Sequence, residues 1–341
     1  MSVVTTTSKE SSSEDPRRTS VVVTGWGIHV PNVDLADLVP ETDYGPACPP
    51  DRAYELLGRK GLLYKEPATR LALCAVHRAL GREPGARRPE GPPDAGTAVV
   101  VSSNFGNIAT VHKVAGILRE ATVRDVSSLD APNASSNVIA STIAIWYRFG
   151  GPNLMVCSGA TSGLDALVLA CTLVRANRAE RVLVIGVEPD DEVATRLYQQ
   201  NQARLGSGGA LRAGAACVIL ERLTQVTAEL PVLGRSYRMA GIDDITGLPR
   251  SALVFGPAAI APAGARIIDL ASRIGDLFGA LGVLQLAVSV AMRELVPDPP
   301  SDGVLICGNR VEGWRSLEVT QSGLPMQTAT PTMLNSSCRT S

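Results

Sequence analysis

Short runs of β-branched residues alternate with apolar helical stretches along most of this chain, and that alternation narrows the fold class before any chemistry is considered. Val21–Gly27, Thr97–Ser102, Pro152–Val156, Arg181–Val187, Ala213–Leu220 and Gly303–Gly308 have the length and composition of buried strands. Helices are predicted over Pro67–Leu80, Asn107–Thr122, Ser135–Phe149, Ser162–Ala176 and Gly275–Leu295. In the second of these, Ile108, Val111, Val114, Ala115 and Leu118 recur at three- and four-residue spacing, as in an amphipathic helix. The pattern implies an α/β fold with buried, largely parallel strands. It repeats in outline, with a first half over residues 20–200 and a shortened second half over 201–320. Residues 1–19 and 321–341 are polar segments with little to bury and are expected to be disordered tails.

Charge excludes one class of partner. Lys and Arg total 32 against 33 Asp and Glu, so no basic excess is available to neutralise a phosphate backbone. No leader-like apolar segment opens the chain, and no apolar stretch runs unbroken for the roughly 20 residues that span a bilayer. A cytoplasmic protein without nucleic-acid or membrane partners is expected. The seven cysteines form no Cys-x-x-Cys pair, and most sit in apolar runs, so they read as reduced core thiols. The three histidines, His29, His77 and His112, have no metal-ligand spacing, so neither a metal nor a cofactor is expected.

The most specific stretch is Gly151-Pro152-Asn153-Leu154-Met155-Val156-Cys157-Ser158-Gly159-Ala160-Thr161-Ser162-Gly163-Leu164-Asp165-Ala166-Leu167. It resembles the nucleophile region of the β-ketoacyl synthases, where a strand at the dimer interface delivers a cysteine to the start of a buried helix. A thiolate there is favoured by the helix dipole and by backbone N–H groups that also form the oxyanion hole. Counted from Gly151, that cysteine position falls on Ala160, and a methyl group cannot carry an acyl thioester. The wording around it is similar to the chain-length-factor subunits of type II polyketide synthases, which also lack the cysteine but commonly carry glutamine there.

Further elements extend the resemblance over most of residues 20–320. Pro132-Asn133 matches the element leading to the interface strand, and Val182–Glu188 matches a strand ending in Gly-Gly-x-Glu/Asp. Leu211–Glu221 resembles the Gly-Glu-Gly-Ala strand, and Ile274–Ala280 resembles the Gly-His helix start, with Asp276 in the histidine's place. Between Arg222 and Gly275, where the second histidine of the family lies, there is none. The terminal Phe-Gly-Gly turn is altered to Cys307-Gly308-Asn309-Arg310. Cysteine and both histidines are therefore missing together, which excludes the usual decarboxylative condensation.

The resemblance implies a thiolase-like five-layer αβαβα fold with a trimmed C-terminal half. It also implies a dimer interface formed by the 151–157 strand, carrying Met155 and Cys157, and by the Asn107–Thr122 helix. Phe105, Ile108, Val111 and His112 then lie where such subunits line the far end of a partner's acyl tunnel. The expected function is a non-catalytic subunit that pairs with a catalytic ketosynthase, or with itself, and works with an acyl carrier protein. The rival is an atypical acyltransferase or cyclase acting on carrier-protein thioesters through Cys157 or Ser158. A third class is a self-associating scaffold.

Individual residues also have plain structural readings. Cys157 reads as a core thiol, and Ser158, Thr161 and Ser162 as helix caps. Gly25-x-Gly27 lacks the third glycine of a dinucleotide loop and reads as a tight strand exit. His112 reads as a helix-surface or interface residue. Glu188, Asp190, Asp191 and Glu192 read as solvated loop charges, Asp165 as a carboxylate needing a partner if buried, and Asp276 as a helix cap.

Overall fold

The computed structural model describes residues 20–39, 47–205, 209–223, 230–241, 253–260, 266–296 and 302–321. The two expected tails lie outside these residues, apart from Gln321. The strands are β1 Val21–His29, β2 Thr97–Ser102, β3 Asn153–Val156, β4 Arg181–Glu188, β5 Gly214–Arg222, β6 Pro231–Met239, β7 Leu253–Phe255, β8 Arg266–Ile268, β9 Gly303–Asn309 and β10 Gly313–Gln321. Short helices α1 Leu35–Leu38 and α2 Tyr54–Leu57 precede α3 Pro67–Ala79 and α4 Ile108–Glu120. Then follow α5 Asp130–Asn133, α6 Val138–Tyr147, α7 Ser162–Arg175, α8 Glu192–Leu205, α9 Leu270–Ile274 and α10 Leu281–Leu295.

The strands form one hydrogen-bonded order, β3-β2-β4-β5-β1-β6-β10-β9-β7-β8. Each half repeats the same plan. β2 runs parallel to β3 and β4, while β5 runs antiparallel to β4 and β1. In the second half β7 is parallel to β8 and β9, and β10 is antiparallel to β9 and β6. The halves meet where β1 pairs with β6 through Val21 with Leu233 and Val22 with Val232. The sheet is therefore mixed rather than largely parallel. β5 belongs to the first set of five strands in this order, and β6 opens the second.

Alternation within strands sorts residues between layers. Val99, Val101, Leu183, Ile185 and Cys217 point toward α3 and α6 on the outer side of the first half. Ala98, Val100, Val182, Val184 and Val218 point inward, where α7 and α10 lie between the two halves; Leu305, Cys307 and Leu317 close this central core from the other side. α10 with its preceding turn is apolar and long enough to cross a bilayer by composition, but most of it is buried in this central layer. The outer face of the second half carries Val254, Val304, Ile306 and Trp314, with Ile260 from a 3-10 turn packed on them. Among the described residues no long helix packs on that face.

Several elements depart from their sequence reading. Gly25 and Gly27 lie inside β1, where they let α3 pack onto the strand. A Cβ on Gly27 would come within 2.4 Å of the Ala75 carbonyl oxygen and 2.5 Å of the Ala79 nitrogen. The helix expected from Gly275 starts only at Leu281, because Gly275 and Phe278 have φ of +95° and +42°, incompatible with a continuous helix. β6, β10 and α8 went unread because their exposed faces carry arginines, glutamines and hydroxyls that dilute the apolar pattern. α7 and α10 cross through glycines: a Cβ on Gly163 would lie 2.8 Å from the Gly282 nitrogen, and one on Gly282 would lie 2.7 Å from the Leu164 nitrogen. Since the obstacles are backbone atoms, we expect Gly163→Ala and Gly282→Ala each to cost about 1–3 kcal/mol. Their combination should cost less than the sum, because one helix displacement relieves both clashes. Chemical denaturation of the single and double variants measures both quantities.

Candidate functional site

The turn from β3 into α7 holds Ala160 in a 3-10 segment, Gly159–Thr161, opened by Gly159 at φ +73°. Two side chains grip this turn. Asn104 accepts from the Gly159 N–H at 2.9 Å and donates its amide to the Gly159 carbonyl at 3.0 Å. Glu312 accepts from the Ala160 N–H at 2.8 Å, and is itself held by the Asn309 side-chain amide at 2.8 Å. The backbone donor that would face a developing oxyanion at this position is thus already bound to a carboxylate.

Behind the turn lies Glu188, at the end of β4 and fully buried. It accepts from the Asn104 N–H at 2.7 Å, the Phe105 N–H at 3.0 Å and the Ser103 hydroxyl at 3.0 Å, and from the Gly279 N–H. Burial pushes its carboxyl up to about 7, against these donors, which pull it down. The expectation of a solvated loop charge fails for Glu188, because it is still part of β4 and alternation puts it on the inward face with Val182 and Val184. The other acids of that run behave differently: Asp191 caps α8, accepting from the Val193 and Ala194 N–H groups at 3.0 Å.

Apolar side chains pack against the turn. Phe105, Tyr198 and Phe278 form an aromatic cluster, with Phe105 stacked on Phe278 at 5.6 Å between centroids and Tyr198 edge-on to both. Ala194 and Leu211 complete the cluster, and Ala160, Ile108 and Leu197 pack against it. The Tyr198 hydroxyl donates to Asp276 at 2.6 Å, and Asp276 also accepts from the Phe278 N–H at 2.7 Å. Asp276 is therefore a buried cap of the Phe278 turn, ahead of the helix it was expected to open, and burial raises its pKa.

The structure brings Phe105, Ile108 and Ala160 together in one cluster. Val111 and His112 lie on the exposed side of α4, and Met155 is half-buried on β3. Cys157 is exposed rather than part of the core, because β3 is the edge strand and its chain leaves the sheet at Val156. Its thiol reaches Asn104 Oδ1 at 3.5 Å, and burial of the sulfur together with the charge of Glu188 raises its pKa. The hydroxyls do not cap the helix. Thr161 and Ser158 donate to Asp165 at 2.8 and 2.5 Å, and Ser162 ties the Ser158 N–H to the Val156 carbonyl. Asp165 finds its partners within the chain: Arg315 at 2.5 Å and Arg238 at 3.1 Å. Burial raises its pKa, but the Ser158 and Thr161 hydroxyls and the Arg315 charge outweigh it, and the net shift is downward. Asn104 and Glu312 were not singled out from sequence, since neither sits in a motif that marks it.

The structure is thus a pseudo-twofold α/β fold whose turn between β3 and α7 presents an alanine. The β-ketoacyl synthase N-terminal domain model matches residues 58–225. The curated 3-oxoacyl-[acyl-carrier-protein] synthase 2 of Coxiella burnetii is 24% identical over 146 residues, covering 37% of this chain. The match spans about a third, 34%, of that relative's length. Among solved structures, the ishigamide ketosynthase/chain length factor aligns over 88% of this chain and 98% of its own, with a TM-score of 0.66 and 20% identity. A type II polyketide synthase acyl-carrier protein in complex with its ketosynthase, bound to the hexaketide, aligns over 88% and 99% with a TM-score of 0.66 and 13% identity. A β-ketoacyl synthase from Burkholderia phymatum aligns over 89% and 99%, with a TM-score of 0.61 and 15% identity. The chain shares the thiolase-like α/β fold of these ketosynthase structures.

We expect Glu188→Ala to cost about 3 kcal/mol or more, because it leaves buried backbone N–H groups without an acceptor. The folded chain binds the Glu188 proton more tightly than the unfolded chain, whose carboxyl titrates near 4.5. This residue's contribution to stability should therefore fall as pH rises from about 4.5 to about 7, and level off above. Thermal unfolding across that range, wild type against Glu188→Ala, isolates the contribution.

Proposed function

We propose that this chain is a non-catalytic, chain-length-factor-type subunit that pairs with a catalytic ketosynthase and shapes the acyl tunnel used with an acyl carrier protein. The observation that carries the reading is the state of the former nucleophile turn. Its side chain is a methyl, its N–H is bound to Glu312, and the space beside it is occupied by the Phe105–Tyr198–Phe278 cluster. Decarboxylative condensation has no nucleophile, no free oxyanion donor at Ala160 and no histidine at this turn.

An uncovered surface supports the partnership. In α4 only Thr110 is buried, although the helix carries Ile108, Val111, Val114, Ile117 and Leu118. Leu118 is 50% exposed, Val123 74% and Ile145 78%. β3, at the end of the strand order, has no strand on its outer edge among the described residues. Apolar helix surface next to an open edge is the kind of face a partner subunit covers. The solved ketosynthase/chain length factor and ketosynthase–carrier-protein structures provide the precedent for both partners. The tunnel role rests on sterics: Ile108 already packs on a filled cluster, so added bulk there must displace neighbours or project outward.

Co-expression with a ketosynthase and carrier protein from the same biosynthetic system tests the reading. We expect a heterodimer by mass, and shorter products with Ile108→Trp. A homodimer that a loaded carrier protein acylates by itself, with acylation abolished by Cys157→Ala or Ser158→Ala, would instead establish the acyltransferase alternative. Restoring the thiol should not restore chemistry. We expect Ala160→Cys to remain unacylated by intact-mass measurement, because Glu312 both occupies the N–H and disfavours a thiolate beside it.

A further inference from the structure

At the far end of β1, three elements bring together side chains that no sequence motif connects. His29 is the last residue of β1 and Cys74 lies in the middle of α3; both are fully buried. Cys48 sits half-buried just after Ala47, which bridges to Pro31, and just before the Pro50 turn. One imidazole nitrogen and the two sulfurs lie within 4.8 Å of one another. The imidazole is held in place: Nε2 lies 2.9 Å from the Cys48 carbonyl oxygen and 3.8 Å from its Sγ. A carbonyl only accepts, so Nε2 carries the proton and Nδ1 keeps its lone pair. That Nδ1 has no hydrogen-bond partner among the described residues, although the ring has no exposure to solvent.

We propose that His29, Cys48 and Cys74 form a binding site for a thiophilic d10 cation, Zn2+, with two thiolates, one imidazole and a fourth position on the side of half-exposed Cys48. The ligand chemistry suits such an ion: two thiolates neutralise its charge, and neutral imidazole is its usual nitrogen donor. Spacing agrees as well. Ligand atoms about 2.3 Å from one zinc are at most about 4.6 Å apart, so a small inward movement of the Cys48 segment closes the triangle. The carbonyl contact at Nε2 supplies the second hydrogen bond that orients a metal-bound histidine through its other nitrogen. Binding releases the thiol protons to solvent and involves no electron transfer. It would pin the 47–52 segment to β1 and α3 on the outer side of the first half, with ligands that take no part in the Ala160 turn.

Titration of the full-length, reduced and chelator-stripped protein with Zn2+ alone, against a chromophoric chelator, tests the site. We expect one equivalent to bind, with Co2+ in its place giving a thiolate-to-metal charge-transfer band. Cys48→Ser, a change at a half-exposed position, should weaken binding at least about tenfold and diminish that band. Zn2+ should raise the melting temperature of the wild type but not that of the variant. Absence of stoichiometric binding by the reduced wild type would overturn the site, as would unchanged affinity in Cys48→Ser. A Cys48–Cys74 disulfide in the oxidised protein, with no Zn2+ uptake after reduction, would assign the pair to redox chemistry instead. If Cys48→Ser failed to fold, the wild-type Co2+ spectrum alone would decide, since a spectrum without thiolate charge transfer excludes the cysteines as ligands.

Discussion

A carboxylate without solvent contact is expensive unless its lone pairs are occupied, and Glu188 meets that condition by drawing separate stretches of chain to the end of β4. Its acceptors hold the backbone of Asn104 and Phe105, the Ser103 hydroxyl and the amide of Gly279. Asn104, fixed in this way, then clamps Gly159 from both sides. The geometry of the Ala160 turn is inherited from a buried acid two elements away. The methyl group of Ala160 is therefore presented from a turn whose backbone is fixed on both sides.

The polar groups of the turn are engaged with one another. Glu312 takes the N–H of Ala160, Asp165 gathers the hydroxyls of Ser158 and Thr161, and Arg238 and Arg315 neutralise that carboxylate. The aromatic cluster is fixed in the same way, since Phe278 keeps a positive φ only because Phe105, Tyr198 and the Asp276 cap hold it.

Parts of this were legible in the sequence for definite reasons. β2, β4 and β9 are covered on both faces, so their apolar runs stood out, and the α4 boundaries followed from its three- and four-residue periodicity. The absent cysteine and histidines could be read directly, because motif spacing is a one-dimensional property. Burial of a single carboxylate is not: Glu188 sits in an acidic run that looks solvated, but β4 extends through it and alternation turns it to the inward face. Cys157 was misread for the opposite reason, an apolar context on a strand that proves to be the edge. β6 and β10 pair with each other across polar faces, and Asp165 finds its arginines on them, so neither could be placed before the topology was known.

The two halves repeat one strand order, and each buries the outer face of its strands. In the first half, α3 and α6 seal that face, and residues such as Leu71, Ile139 and Ile185 lose all solvent contact beneath them. In the second, Val254, Val304 and Ile306 are equally buried, packed with Trp314 and with Ile260 of a 3-10 turn. The layer shared by both halves is the one with least room: α7 and α10 meet at Gly163 and Gly282, where an added Cβ would strike backbone atoms, and strands of both halves contribute side chains around them. Close packing at that crossing fixes how the two halves sit on one another, because neither helix can shift without opening the core on both sides.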